Sequence, residues 1–246
     1  MYKWKVVPLC KEQLLDVKPE DVIQNGLFRS CDVYKSGGGY DKFPEICMER
    51  LGIETNPKQF VVQLYGCHLK CPYCYVTQSG IWGKPILFPT SWLVKAFMDT
   101  GLDVFHLMGG SPALYLKHWP ELIDALPDDK IFHSDLLLTE SQYDIKVLKN
   151  IARDNCLYAV NIKGVTPKDY ERNTGSTFRW ETFFLNLERL IRSGVNFYLT
   201  FTNPDMNNYD EFCETLIAFY GSTIMDESFV IDLIDYDAIK AYGEEN

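Results

Sequence analysis

The 246-residue chain contains no apolar run approaching the about 20 residues that a membrane-spanning helix needs. Its first residues, Met1-Tyr2-Lys3-Trp4-Lys5, carry neither the apolar segment nor the small-residue cleavage site of a secretory signal. These two absences predict a cytoplasmic protein with no membrane partner. Basic charge is also scarce: 24 Lys and Arg against 34 Asp and Glu leave a formal charge of −10, which argues against a nucleic-acid partner. Low-complexity sequence amounts to Ser36-Gly37-Gly38-Gly39, too short for a linker. Hydrophobic residues are not lacking, at 46%, so the chain can bury a core.

Cysteine is plentiful, at positions 10, 31, 47, 67, 71, 74, 156 and 213. In a cytoplasmic chain of this size, clustered cysteines point to metal or redox chemistry rather than to disulfides. Cys10, Cys31 and Cys47 have no cluster-like spacing and read as ordinary buried thiols. Cys156 and Cys213 fall on predicted core elements, and His106 lies inside an apolar strand, where a core or pocket role is expected.

From Phe60 onward, β-rich runs alternate with helix-period segments. Strands are predicted at 60–65, 103–108, within 130–138, and at 157–162, 196–202 and 229–234. Helices are predicted between them, one capped by Thr90 or Ser91 and ended by Gly101, another opened by the capping-box pattern Ser141-x-x-Asp144. Six βα-like repeats predict an α/β fold, a partial (β/α)6 TIM-like barrel, because parallel strands need helical crossovers. Residues 1–58 lack this period and are expected to form an N-terminal extension packed on a barrel of residues 59–246.

The sharpest local pattern is Cys67-His68-Leu69-Lys70-Cys71-Pro72-Tyr73-Cys74, a C-x3-C-x2-C run directly after the first of these strands. Three thiolates on one loop would hold three irons of a [4Fe–4S] cluster and leave the fourth open. The alternative is structural zinc, but zinc sites usually show two separated ligand pairs, and no second C-x2-C exists here. The spacing favours the cluster. The position after a strand puts the loop at the C-terminal mouth of a barrel, where barrel enzymes place their chemistry.

This run, with aromatic Tyr73 before its last cysteine, resembles the signature of the radical S-adenosylmethionine superfamily, and the resemblance extends over roughly residues 60–234. It implies that Cys67, Cys71 and Cys74 bind a [4Fe–4S] cluster that reductively cleaves S-adenosylmethionine to a 5′-deoxyadenosyl radical for hydrogen abstraction. A one-electron reductant such as flavodoxin or ferredoxin is then an expected partner. Gly109-Gly110-Ser111-Pro112 resembles the superfamily's GGEP motif, which meets the methionyl amino group; Ser111 stands where Glu is common.

Asn161-Ile162-Lys163-Gly164 resembles the D-x-K stretch of glycyl-radical-enzyme activating enzymes such as the pyruvate formate-lyase activator, in which the lysine meets the methionyl carboxylate; Asn161 replaces the Asp. Asp169-Tyr170 before Thr174-Gly175 is similar too. Ser134 and Thr200, near the ends of the third and fifth strands, are further candidates for hydrogen bonding to the cofactor. The expected activity is therefore that of a radical enzyme of oxidoreductase type, acting on a protein or peptide. Modification of a nucleotide or small molecule, and a non-catalytic iron–sulfur or zinc protein, are the alternatives.

Overall fold

The computed structural model of the protein describes residues 2–10, 14, 17–32, 58–74, 81–177, 179–226 and 228–231. Among the described residues ten strands form two sheets: β1 (Lys3–Val6), β2 (Val22–Ile23), β3 (Phe28–Asp32), β4 (Lys58–Gln63), β5 (Ile86–Pro89), β6 (Val104–Met108), β7 (Ile131–Leu136), β8 (Cys156–Ile162), β9 (Phe197–Thr202) and β10 (Phe229–Ile231). The main sheet has the order β10-β9-β8-β7-β6-β4-β3-β2. Its strands β4, β6, β7, β8, β9 and β10 run parallel, while β3 joins β4 and β2 joins β3 antiparallel. Among the described residues the two ends of this sheet are not paired with each other.

The crossovers carry helices α1 (Thr90–Met98), α2 (Trp119–Ala125), α3 (Ile145–Ile151), α4 (Pro167–Thr174), α5 (Trp180–Arg192) and α6 (Met206–Tyr220). Neighbouring pairs α1–α2, α2–α3 and α3–α5 lie against one another. Three of these helices start on side-chain caps that satisfy otherwise orphaned N–H groups. Asp144 accepts from Lys146 N, Thr166 from Asp169 N with Pro167 opening the helix, and Asp205 from Asn207 N.

Two expected caps are corrected. Ser141 does not open α3, because Asp144 holds its first turn. Thr90 is the first residue of α1 rather than its cap; its hydroxyl is already committed, accepting from Trp4 Nε1 (3.1 Å) and donating to Glu121 (2.7 Å). The helix expected after Gly109–Pro112 is a 3-10 turn, Pro112–His118, followed by α2.

Strand alternation divides the parallel sheet into two faces. Phe60, Val62, Phe105, Leu107, Phe132, Leu136, Tyr158, Val160, Leu199 and Phe201 belong to the main hydrophobic cluster, with Leu93, Phe97, Trp119, Leu148, Phe183 and Leu190 from the helical layer. The other face carries Gln59, Val61, Gln63, His106, His133, Asp135, Asn161, Tyr198, Thr200 and Thr202, none of which belongs to that cluster.

The described N-terminal residues lie on this frame. β3 extends the main sheet beside β4, and β1 forms a two-stranded antiparallel sheet with β5. Val6 also bridges to Leu64, just before the cysteine loop. The glycine stretch 36–39 and Cys47 lie outside the described residues.

Candidate active site

The ends of the parallel strands bring the sequence motifs to one mouth. After β4 the chain passes through Gly66, whose N–H bonds Ile81 O (2.9 Å), into the cysteine loop. Cys74 N closes a turn on Cys71 O (3.1 Å), and Lys70 N donates to Thr174 O (2.9 Å), docking the loop onto the end of α4. Gly175 follows there at φ +61, where a side chain would press on Lys70 O. The Asp169-Tyr170…Thr174-Gly175 pattern thus has a structural role. Asp169 accepts from Val165 N (2.9 Å) and Asp205 N (3.0 Å), tying together the turns after β8 and β9.

Cys67, Cys71 and Cys74 are reduced and partly exposed. Burial pushes the Cys67 thiol up to about 11, Cys71 and Cys74 add to that, and the Leu69 N–H and Lys163 oppose it. A thiolate here calls for a compensating cation, which bound iron would supply. Lys163 Nζ stands 5.7 Å from the Tyr73 ring centroid. Burial works against its charge, but Tyr73, Cys71, Cys74 and Asp135 together outweigh that and hold its ammonium more firmly protonated than a free lysine. A side chain on Gly164 would collide with Tyr170 N, so glycine is what lets the turn after Lys163 close.

Among the described residues no three Cys, His, Asp or Glu side chains close on one point as they would around a single metal ion. The donor set of three thiols on one loop beside a half-buried cation is nonetheless the one an iron–sulfur cluster uses, each thiolate serving its own iron.

The glycine turn after β6 sits flush against the same loop. Ser111 N donates to Gly66 O (2.8 Å). Gly110, at φ +57, could not carry a Cβ without striking Gly66 O, and Gly109, at φ +70, would strike Gln63. Pro112 is buried and starts the 3-10 turn.

Ser111 is fully buried, and its hydroxyl donates to Glu140 Oε1 (2.6 Å); Tyr143 OH donates to Glu140 Oε2 (2.8 Å). A carboxylate from the turn after β7 therefore stands beside Ser111, at the turn where the GGEP pattern carries its own. Glu140 follows Leu138, a bulky residue held at φ +61 by Asn186 Nδ2 on its carbonyl (2.9 Å) and by Tyr143 OH on its N–H (3.2 Å). Next to it Thr139 links His68 Nε2 (3.0 Å) and Tyr170 OH (2.9 Å), so the cysteine loop is bonded to the turn after β7 and through it to α4. Sequence reading missed Glu140 and Thr139; the signal was a polar pair ending an apolar run at a strand terminus.

Beneath the loop the inner face is polar. Asn161 Nδ2 donates to Asp135 Oδ1 (3.0 Å), and Thr200 Oγ1 donates to Asn161 Oδ1 (2.6 Å). His106 Nε2 is 3.5 Å from Asp135 Oδ2, its ring 4.1 Å from that of His133, and His133 Nε2 is 3.1 Å from Tyr198 OH. Burial opposes the charge of Asp135, yet His106, His133 and Asn161 hold its carboxyl below the usual range. Asn161 and Thr200 are thus bonded together, and Asp135 is bonded to Asn161 and near enough to Lys163 to favour its charge. Ser134 is not with them: it lies on the helix-facing side, fully buried, donating to Leu107 O (2.9 Å). A groove of about 570 Å³ between α5 and α6, lined by Trp180, Phe184 and Phe212, holds none of these residues.

Residues 61–217 match the radical SAM superfamily, well over half the chain, and the protein belongs to that superfamily. Its members are enzymes. No curated protein sequence matches the chain significantly. Among solved structures, anSMEcpe with bound AdoMet is similar at TM-score 0.53 and 16% identity, over 69% of this chain and 49% of that one. The same enzyme with AdoMet and the Cp18Cys peptide gives 0.53 and 15%, over 68% and 48%. This chain therefore spans about half the length of these neighbours, and what they share with it is the α/β fold, a parallel sheet with helices in the manner of a partial barrel. No described helix is long and apolar enough to cross a membrane.

Proposed function

We propose that the protein binds a [4Fe–4S] cluster on Cys67, Cys71 and Cys74 and S-adenosylmethionine beside it, and uses them to abstract hydrogen from a protein or peptide. The observation that carries this reading is the convergence of the three-thiol loop, the flush Gly109-Gly110 turn and the Lys163 ammonium at one end of six parallel strands. When bound, the reduced cluster supplies the electron that breaks the carbon–sulfur bond of adenosylmethionine and so yields the 5′-deoxyadenosyl radical.

The chain's own residues bind and orient. Lys163 offers a compact cation to a carboxylate. Glu140, held by Ser111 and Tyr143, offers acceptor oxygens to an ammonium. The Asp135–Asn161–Thr200 chain fixes polar groups on the floor below, and its hydrogen bonds keep them from collapsing on one another.

The sheet ends, unpaired among the described residues, support a substrate that enters as a loop or peptide, and anSMEcpe, which shares the fold, has been solved with a peptide. Kinship with glycyl-radical-enzyme activators rests on Asn161-Ile162-Lys163-Gly164. Anaerobically reconstituted protein is expected to bind about four irons. With a reductant and adenosylmethionine it should release 5′-deoxyadenosine, faster when the substrate is present and carrying deuterium from a labelled substrate. Stoichiometric zinc without iron in anaerobic material would sink the reading. Deuterium transfer from a nucleotide or metabolite alone would replace the peptide by a small molecule.

A further inference from the structure

The surface beside the cysteine loop differs in charge from the rest of this acidic chain. β1 and β5 pair with Lys5 opposite Leu87 and Lys3 opposite Pro89, and alternation puts Lys3 and Lys5 on the outward side while Trp4 is fully buried. Lys5 O accepts from Tyr65 N (2.9 Å), and Lys5 Nζ lies 5.7 Å from the Tyr65 ring, which meets Trp82 edge-on at 5.5 Å. The side chains of Trp82 and Leu114 both come within van der Waals reach of the open face of Gly66, the residue before Cys67.

Trp82 (47% exposed), Leu114 (47%) and Leu87 (53%) thus form an apolar surface at the base of the loop. Exposed Lys3 and Lys5 border it across the strand pair, exposed Lys84 lies in the chain between Trp82 and Leu87, and Lys117 follows Leu114 by one 3-10 turn. None of these four lysines is ion-paired among the described residues. The nearby Glu121 carboxylate is already taken by Tyr2 N and Thr90.

Exposed aromatic and aliphatic side chains ringed by unpaired cations have the make-up of a protein-docking surface with an electrostatic rim. On a chain of net charge −10 a cationic rim of this kind favours an acidic partner over the bulk of the surface, which repels one. Its place one residue from Cys67 says what the partner brings.

We propose that Trp82, Leu87 and Leu114, with Lys3, Lys5, Lys84 and Lys117, form the docking surface for a small acidic one-electron carrier protein that delivers electrons to the cysteine loop. This rests on the cluster reading above. In the step itself the carrier's anionic flavin hydroquinone gives up one electron and becomes the neutral semiquinone, while the bound cluster gains one unit of negative charge. No bond forms or breaks and no proton moves.

The test uses flavodoxin as the carrier and dithionite as a reductant that needs no docking. Lys3→Glu/Lys5→Glu changes only exposed side chains. It is expected to weaken flavodoxin binding by about tenfold or more at low salt, and to slow cluster reduction by flavodoxin hydroquinone to a similar degree. Reduction by dithionite should stay at the wild-type rate. Lys3→Gln/Lys5→Gln should fall between, and raising the ionic strength should bring wild type down to the variants.

Equal flavodoxin affinity in wild type and the Glu variant overturns the proposal. So does an equal slowing with both reductants, which would place the effect at the cluster rather than at the surface. If no cluster assembles at all, the proposed function fails, and the flavodoxin affinities of the same proteins still decide the docking surface.

Discussion

The two faces of the parallel sheet are built from the same strands and do opposite work. In β6, Phe105 and Leu107 point to the helices and are fully buried in the hydrophobic cluster, while His106 between them points inward to Asp135 and His133. In β8, Tyr158 and Val160 face the helices and Asn161 faces in. The outer face gains stability from apolar area removed from water. The inner face buries Gln59, Gln63, His106, His133, Thr200 and Thr202, groups that cost free energy to desolvate. A sheet spends stability on a polar face where that face binds something, so the division marks where the fold is made and where the chemistry is expected.

The largest effect should come from the mouth that both faces support. Changing Cys67, Cys71 or Cys74 to Ala should remove stable cluster binding. Iron content and visible absorbance of anaerobic protein measure this, and a variant that keeps wild-type iron would break the assignment of that cysteine. The faces themselves are separated by a pair of substitutions in one strand. Phe105→Ala removes a ring packed against Phe60, Phe97 and Phe132, and should destabilise the fold by about 3–5 kcal/mol in chemical denaturation. His106→Gln, one residue on, should change stability by no more than about 1 kcal/mol and instead alter how strongly substrate stimulates 5′-deoxyadenosine release. Equal destabilisation by both would dissolve the distinction between the faces.

Much of the outer face was legible in the sequence, because β-rich apolar runs such as Phe60–Tyr65 and Leu157–Ile162 alternate with helix-period segments. The cysteine loop and the glycine turn were legible as spacing. The strap of β1 on β5 was not, since Lys3–Val6 and Ile86–Pro89 are short, lie some eighty residues apart and show no pattern until paired. Parity inside β7 was misjudged. Nearness to the strand end singled out Ser134, yet Phe132, Ser134 and Leu136 share a face, and their apolar company already pointed Ser134 to the helices and Asp135 inward. Glu140 was hidden for another reason. Its place depends on Leu138 adopting a left-handed backbone that Asn186, nearly fifty residues downstream, makes tolerable.

Lys163 tests the inner side of the comparison with a smaller effect. Its ammonium faces Tyr73, Cys71, Cys74 and Asp135, and those neighbours keep it charged despite burial. If it meets the carboxylate of adenosylmethionine, Lys163→Ala removes one charge-assisted contact, worth about 1.5–3 kcal/mol, or about 10- to 150-fold in affinity. The cluster should remain, because the three thiols are untouched; iron content and absorbance check this before the dissociation constant is measured by equilibrium binding. Lys163→Arg separates charge from shape. The guanidinium keeps the charge but is broad and planar where the site holds a compact ammonium, so it should recover only part of the lost affinity. An unchanged dissociation constant in Lys163→Ala, with iron intact, would leave Lys163 as a counter-charge to the cysteine loop alone and assign the carboxylate to another cation.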